Sequence, residues 1–226
     1  MDKKFAVALD GPSGAGKSSL AKAAAERFGF LYVDTGAIYR TVGLAAKRRG
    51  IGSKDREGVI AMLPSLHIDL THGEDGLQHM FLDGEDVSGE IRLPEISLYA
   101  SDVSAIPEVR AYLMETQRSL AREHDVIMDG RDIGTVVLPD APLKVFLTAS
   151  PEARAERRYK ELLGKGQKVS FEDVLRDMRI RDENDSSRSA APLKAAEDAV
   201  LLDTTALGFA ESCDALAALI RERFSL

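Results

Sequence analysis

Three glycines, a lysine and two serines fall within the eight residues Gly11-Pro12-Ser13-Gly14-Ala15-Gly16-Lys17-Ser18, the spacing of a phosphate-binding loop. Glycine lets the backbone come close to a polyphosphate and turn successive N–H groups toward its oxygens. Lys17 brings an ammonium to the β- and γ-phosphates, and the Ser18 hydroxyl suits Mg²⁺; Ser19 continues the same cradle. The alternative is a glycine-rich turn that holds nothing. Against it stands the setting: the apolar run Phe5-Ala6-Val7-Ala8-Leu9 precedes the loop, and an alanine-rich helical segment, Lys17 to Phe28, follows it. A helix beginning there adds its partial positive charge to the loop. The chain is expected to bind a nucleotide.

What it does with the nucleotide depends on the other cations. No Asn-Lys-x-Asp guanine-reading motif occurs, which argues against a GTPase. Arg154, Arg157 and Arg158 stand at i, i+3 and i+4 and share one helical face. Arg181, Asp185 and Arg188, at i, i+4 and i+7, share another if the helix runs that far. Arg40 and Arg131 close two loops that follow apolar runs. Each arginine taken singly could be a solvated ion-pair partner, since Glu152, Glu156, Asp182 and Glu183 are interleaved. Gathered beside a phosphate loop, in a chain of net charge −7, they point to a ligand with several phosphates.

The elements that must position these residues are also legible. Five apolar runs, Phe5–Leu9, Leu31–Val33, Val126–Met128, Leu143–Leu147 and Val200–Leu202, are expected as buried parallel strands. With helical stretches between them, they predict a doubly wound α/β sheet. Ser150-Pro151 signals a helix start, as does Pro107 ahead of a segment reaching Glu123, and a last helix spans Phe209 to Phe224. From Leu66 to Glu90 the pattern alternates between turn signals, Gly73-Glu74-Asp75-Gly76 and Asp83-Gly84, and predicts a small antiparallel insertion. From Pro151 to Arg188 two charged helices, split by Gly164-Lys165-Gly166-Gln167, read as a mobile lid.

Composition excludes other classes. At 226 residues the chain can build one sizeable core, and its net negative charge argues against general affinity for nucleic acid or anionic membrane. No apolar run has the length of a membrane span, and Met1-Asp2-Lys3-Lys4 leads into a strand rather than a signal peptide. Cys213 is the one cysteine, so it is expected to pack rather than react, and the four histidines lack ligand spacing. A cytoplasmic monomer is expected.

Together the motifs resemble the nucleoside monophosphate kinases, and among these the bacterial cytidylate kinase family. The likeness is carried by Gly11 to Ser18, Asp34-Thr35-Gly36-Ala37-Ile38-Tyr39-Arg40, Gly84-Glu85-Asp86-Val87-Ser88-Gly89-Glu90-Ile91-Arg92, Asp129-Gly130-Arg131-Asp132-Ile133-Gly134-Thr135-Val136, the lid arginines and Ala191-Pro192-Leu193. It implies an α/β fold of P-loop NTPase type with a five-stranded parallel sheet. The core would span residues 1–34, 105–150 and 190–226, the NMP-binding subdomain 35–104 and the lid 151–189. It implies transfer of the γ-phosphoryl group of ATP to CMP or dCMP, with Mg²⁺. It also implies roles: Arg40, Arg131 and Arg188 on the acceptor phosphate; Arg181 and Asp185 on the ribose; Ser101, Arg110 and Asp132 on the base, with Thr35 where many relatives have serine. Lys17, Arg131, Arg154, Arg158 and Arg188 would serve the transfer, and Arg154, Arg157 and Arg158 the donor. Asp129 would orient the Mg²⁺ water shell or merely cap a turn; both remain open. A nucleotide-gated scaffold and a kinase for another small molecule are the competing expectations.

Overall fold

In the computed structural model residues 4–73, 76–164 and 166–226 are described, so the acidic turn expected at Glu74-Asp75 and the start of the chain lie outside them. In chain order the first elements are β1 (Ala6–Asp10), α1 (Lys17–Phe28), β2 (Leu31–Asp34), α2 (Thr35–Arg48) and α3 (Arg56–Met62). Next come the hairpin strands β3 (Ile68–His72), β4 (Gln78–Leu82) and β5 (Glu85–Asp86), then α4 (Pro94–Ser104) and α5 (Pro107–Glu123). The chain continues through β6 (Val126–Asp129), β7 (Leu143–Thr148), α6 (Pro151–Gly164), α7 (Phe171–Ser187), β8 (Val200–Asp203) and α8 (Phe209–Phe224).

Five strands form a parallel sheet in the order β2-β6-β1-β7-β8, and β3, β4 and β5 form a separate antiparallel sheet. All of β1 is buried, because the main sheet is covered on both faces. Strand periodicity sends Val7 and Leu9 toward Leu20, Ala21 and Ala24 of α1 and Leu216 and Ile220 of α8. Ala6 and Ala8 face the opposite layer, with Met128, Ile133 and Val137, against which Met114 and Leu120 of α5 pack. A fully buried side chain such as Leu9 contributes about 1.5–3 kcal/mol.

One expectation is corrected. Val200 and Leu201 are not buried: they are 40% and 65% exposed, because β8 is the last strand of the sheet and pairs only with β7. Only Leu202 packs against the core.

The inserted hairpin has its own core, in which Ile38, Val42 and Leu44 of α2 meet Met80, Leu82, Ile91 and Ile96. The two charged helices share a smaller one, Ala155, Val174 and Met178, backed by Tyr159 and Phe171. What matters for chemistry is register. Asp34 pairs with Asp129 across β2 and β6, and Leu9 pairs with Asp129 across β1 and β6. Three acids, Asp10, Asp34 and Asp129, therefore end their strands along the carboxyl edge of the sheet, where ligands of open α/β sheets bind.

Candidate active site

The loop between β1 and α1 is built from backbone. Gly11 has φ +147°, and a Cβ there would lie 2.0 Å from the Leu147 carbonyl oxygen of β7, so only glycine fits against the neighbouring strand. Gly16 is the N-cap of α1 at φ +93°, a left-handed conformation that glycine adopts without strain. Lys17 is buried and donates from Nζ to the Pro12 carbonyl at 2.8 Å, so the ammonium lies across the loop it serves. Burial, and then the charges of Arg131 and Arg181, depress its pKa well below the usual lysine range.

Ser18 Oγ donates to Asp129 Oδ2 at 2.7 Å, and Tyr32 Oη reaches Asp129 Oδ1 at 3.4 Å. Burial first, and the Asp34 carboxylate second, push Asp129 up to about 6. A serine hydroxyl beside a buried carboxylate whose hydrogen bonds come from hydroxyls is a hard-oxygen donor set of the kind Mg²⁺ takes. Among the described residues no group of three or more His, Cys, Asp or Glu could cage a metal, so such an ion would complete its shell with water and phosphate. The residues fit that ion.

Opposite the loop the arginines converge, each with a carboxylate already in reach. Arg131 Nε donates to Asp185 Oδ2 at 2.9 Å, and Arg188 lies 4.0 Å from Asp185 and 3.6 Å from Asp132. Arg110 pairs with Asp132, both side chains being 6% exposed, and its guanidinium sits 5.5 Å from the centre of the Tyr39 ring. Arg40 donates to Asp34 at 2.7 Å. Burial works to raise Asp185, yet Arg131, then Arg181 and Arg188, hold it below the usual carboxylate range. Arg181 is pushed down to about 10, by burial first and by Arg131 second, and keeps its charge at neutral pH.

The arginines retain unused donors. Arg40 Nε, Arg181 Nε and Arg188 Nη2 are buried without a hydrogen-bond acceptor in this structure. Burying a charged donor unpaired is costly. Positive charge held this way beside a phosphate loop is a receptor for anionic oxygens. A cavity of about 410 Å³ opens beside the cluster, lined by Ser53, Lys54, Ser101, Asp102, Asp185 and Arg188.

Of the expected residues, the structure brings Lys17, Ser18, Arg131, Asp132, Arg110, Arg181, Asp185 and Arg188 to one mouth, with Arg40 and Ser101 at its side. The helix α7 ends at Ser187, so Arg188 reaches the cluster from the residue just beyond it. Thr35 Oγ1 donates to the Asp129 carbonyl at 2.8 Å, which ties α2 to the end of β6. Arg154, Arg157 and Arg158 share a helical face of α6 but diverge at their heads. Arg154 is buried, bonds the Ser13 and Ala149 carbonyls at 3.0 and 2.9 Å, and pairs with Asp182 at 2.7 Å. Arg157 turns to Thr204, donating to its carbonyl at 2.5 Å and to Oγ1 at 3.1 Å. Arg158 stays half exposed beside Glu161.

Several participants escaped the sequence. Ser104 accepts from Arg110 at its carbonyl and from Arg188 at its hydroxyl, 3.2 and 3.3 Å away, and nothing local in the sequence marks it. Asp10 accepts from the Ile133 and Gly134 N–H groups at 2.8 and 2.7 Å, pinning the segment that carries Arg131 and Asp132 to the start of the phosphate loop. An acid placed between strand and loop was the available signal. Cys213 packs against the layer of α1 and α8, as expected.

Comparison with known proteins agrees in family and fold. A family model described as cytidylate kinase matches residues 7–222. The cytidylate kinase of Caldicellulosiruptor bescii is 50% identical over 209 residues, covering 92% of each chain. That of Desulfitobacterium hafniense is 48% identical over 223 residues, 99% of this chain and 95% of the other. Among solved structures, an uncharacterized protein from Eubacterium ventriosum shares the fold with a TM-score of 0.51 at 11% identity, covering 98% of this chain and 99% of its own.

Proposed function

The chain belongs to the cytidylate kinase family, and from that premise we infer that it transfers the γ-phosphoryl group of ATP to CMP or dCMP, giving ADP and CDP or dCDP. The observation that carries the substrate is the buried Arg110–Asp132 pair beside Arg188. Cytosine presents an exocyclic amino donor next to acceptors, so the Asp132 carboxylate accepts from the amino group while Arg110 donates to the ring acceptors. Uracil sets a carbonyl against the same carboxylate and leaves both unsatisfied.

The acceptor phosphate is largely a dianion near neutral pH, since the second pKa of a phosphate monoester is about 6. It needs no general base. The protein must hold two repelling anions in line, exclude water and neutralise the charge on the group in transfer. Lys17 and the loop N–H groups take the donor phosphates, and Arg154 holds the loop against α6 and α7 through Ser13 and Asp182. Arg40, Arg131 and Arg188 take the acceptor phosphate, Arg181 and Asp185 the ribose, and Ser101 joins Arg110 and Asp132 at the base. Ser18, with Asp129 behind it, would hold Mg²⁺, which when bound neutralises charge on the donor phosphates. Arg157 and Arg158 lie on the donor side of the lid. The separate apolar cores of the hairpin region and of α6 with α7 support a division into an acceptor-binding part near 35–104 and a lid near 151–189.

Relative use of CMP and UMP by Asp132→Asn tests the assignment. An amide at 132 can donate to a uracil carbonyl, so the CMP preference is expected to fall by about 10- to 100-fold. An unchanged ratio removes Asp132 from base recognition.

A further inference from the structure

Among the described residues β2 is an outer strand of the sheet, paired with β6 alone. Its Leu31 N–H turns inward to the Asp125 carbonyl. Alternation along a parallel strand therefore directs the peptide groups of Tyr32 and Asp34 outward, where an uncovered edge invites another strand. Two side chains from the inserted hairpin meet them instead. His72 Nε2 lies 2.7 Å from the Tyr32 carbonyl oxygen. Gln78, which faces His72 across the hairpin, accepts from Asp34 N–H through Oε1 at 2.7 Å and donates from Nε2 to the Asp34 carbonyl at 3.1 Å. The Gln78 amide thus supplies both bonds that a neighbouring strand would supply, and it is only 6% exposed.

Asp34 is the residue from which α2 starts. Its Oδ1 accepts from Ala37 N–H at 2.9 Å, capping the helix, and its Oδ2 holds Arg40 at 2.7 Å. The backbone that Gln78 clasps at both ends is the one whose side chain aims Arg40, and the remaining buried Nε of Arg40 has no acceptor. We propose that Gln78 is a positioning residue for the acceptor phosphate, acting through Asp34 on Arg40 and fastening the inserted hairpin to the core sheet. This rests on the assignment of Arg40 to that phosphate. Glutamine suits the task because the clasp needs one acceptor and one donor on the same planar group. Glutamate keeps the acceptor and sets a second charge beside Asp34; methionine keeps the length and loses both bonds.

Steady-state kinetics of Gln78→Met, Gln78→Glu, Arg40→Ala and the Gln78→Met/Arg40→Ala double variant, each with a melting curve, test the proposal. Gln78→Met is expected to raise KM for CMP about tenfold and leave KM for ATP within about twofold, with Gln78→Glu between it and the parent. With Arg40 already alanine, Gln78→Met is expected to add less than about twofold, since residues in one chain of contacts do not act additively. A KM for CMP that does not move overturns the proposal, as does a parallel rise for both substrates or full additivity with Arg40→Ala. If Gln78→Met melts without a cooperative transition, Gln78→Glu, which keeps the Asp34 N–H bond, carries the same comparison. Normal use of CMP by Arg40→Ala defeats the phosphate assignment and the proposal with it. A raised KM there, with none in the Gln78 variants, defeats the proposal alone.

Discussion

On the side of the site proposed for the donor, the loop from Gly11 to Ser18 is shaped by backbone: glycines in conformations or spaces that refuse a side chain, one buried lysine lying across them. On the side proposed for the acceptor, geometry comes from side chains. Arg131, Arg188, Arg110 and Arg40 each stand against Asp185, Asp132 or Asp34. A row of N–H groups recognises phosphate and little else. Paired side chains hold their cations at set angles and leave selected donors free, which is what discrimination between nucleotides requires. The pairing also has a consequence for stability: Arg131 is hydrogen-bonded to the Asp185 carboxylate, whereas the buried ammonium of Lys17 bonds a backbone carbonyl and feels the Arg131 and Arg181 guanidiniums as well as the Asp129 and Asp10 carboxylates.

The sharpest test of that contrast is Lys17→Ala. Loss of the one loop cation should lower kcat by about 10³- to 10⁵-fold, read as ADP formation in a coupled assay. Burial, the largest influence, and the Arg131 and Arg181 charges disfavour the ammonium while Asp129 and Asp10 favour it, so the variant should lose less stability than Arg131→Ala. A drop in activity of less than about tenfold would mean that the lysine does not serve the transfer.

Arg131→Ala should behave differently. It is expected to lower kcat/KM for CMP about 10²- to 10³-fold and, by leaving Asp185 without its nearest cation, to reduce stability by about 1–3 kcal/mol in denaturant titrations. The two effects should separate: Lys17→Ala loses mainly activity, Arg131→Ala loses both. Equal stability losses would erase the distinction between the two halves.

How much of this was legible in the sequence follows the same division. The strand, loop and helix from Phe5 to Phe28 are contiguous, so their order declared the phosphate-binding loop. The hairpin of α6 and α7 was equally local, with Gly164 and Gly166 between its helices. The proposed acceptor site assembles across the chain: Arg131 and Asp185 are separated by 54 positions, and no spacing rule joins them. Here family resemblance supplied the candidates, while the partner Ser104 went unseen because its role exists only once α4 is folded against Arg110 and Arg188. Helical spacing put Arg154, Arg157 and Arg158 on one face, but spacing fixes Cβ positions and not where long guanidinium stems end. The run Val200–Leu202 looked like the other strands, since apolar composition does not say whether a strand lies inside a sheet or at its edge.

Asp10 sits at the seam between the halves, and its charge offers a pH test. Burial, outweighing the Gly134 and Ile133 hydrogen bonds, pushes its carboxyl up to about 6 from an ordinary value of 3.8. Below about pH 4 it is protonated in folded and unfolded chains alike. Between about pH 4 and 6 the unfolded chain releases the proton while the folded chain keeps it. The contribution of Asp10 to stability therefore falls as pH rises through that window, by about 2–3 kcal/mol in total. Urea unfolding of the nucleotide-free protein and of Asp10→Asn should give a stability difference that declines by that amount from pH 4 to 7. A difference independent of pH would mean that the seam is wet rather than buried.

The smallest effect, and the one that most isolates the donor side, is expected from Gly16→Ala. The added Cβ meets nothing within 4 Å, unlike one at Gly11, so backbone strain at φ +93° is the whole perturbation. A left-handed alanine costs about 1–2 kcal/mol relative to its relaxed state, which should appear as a lower melting midpoint. If the donor phosphates are held by N–H groups of this turn, the loop can relieve strain only by tilting them away. KM for ATP should then rise by less than about tenfold, while KM for CMP, set by side chains on other elements, stays within about twofold. A rise confined to CMP would reverse the assignment of backbone to donor and side chains to acceptor.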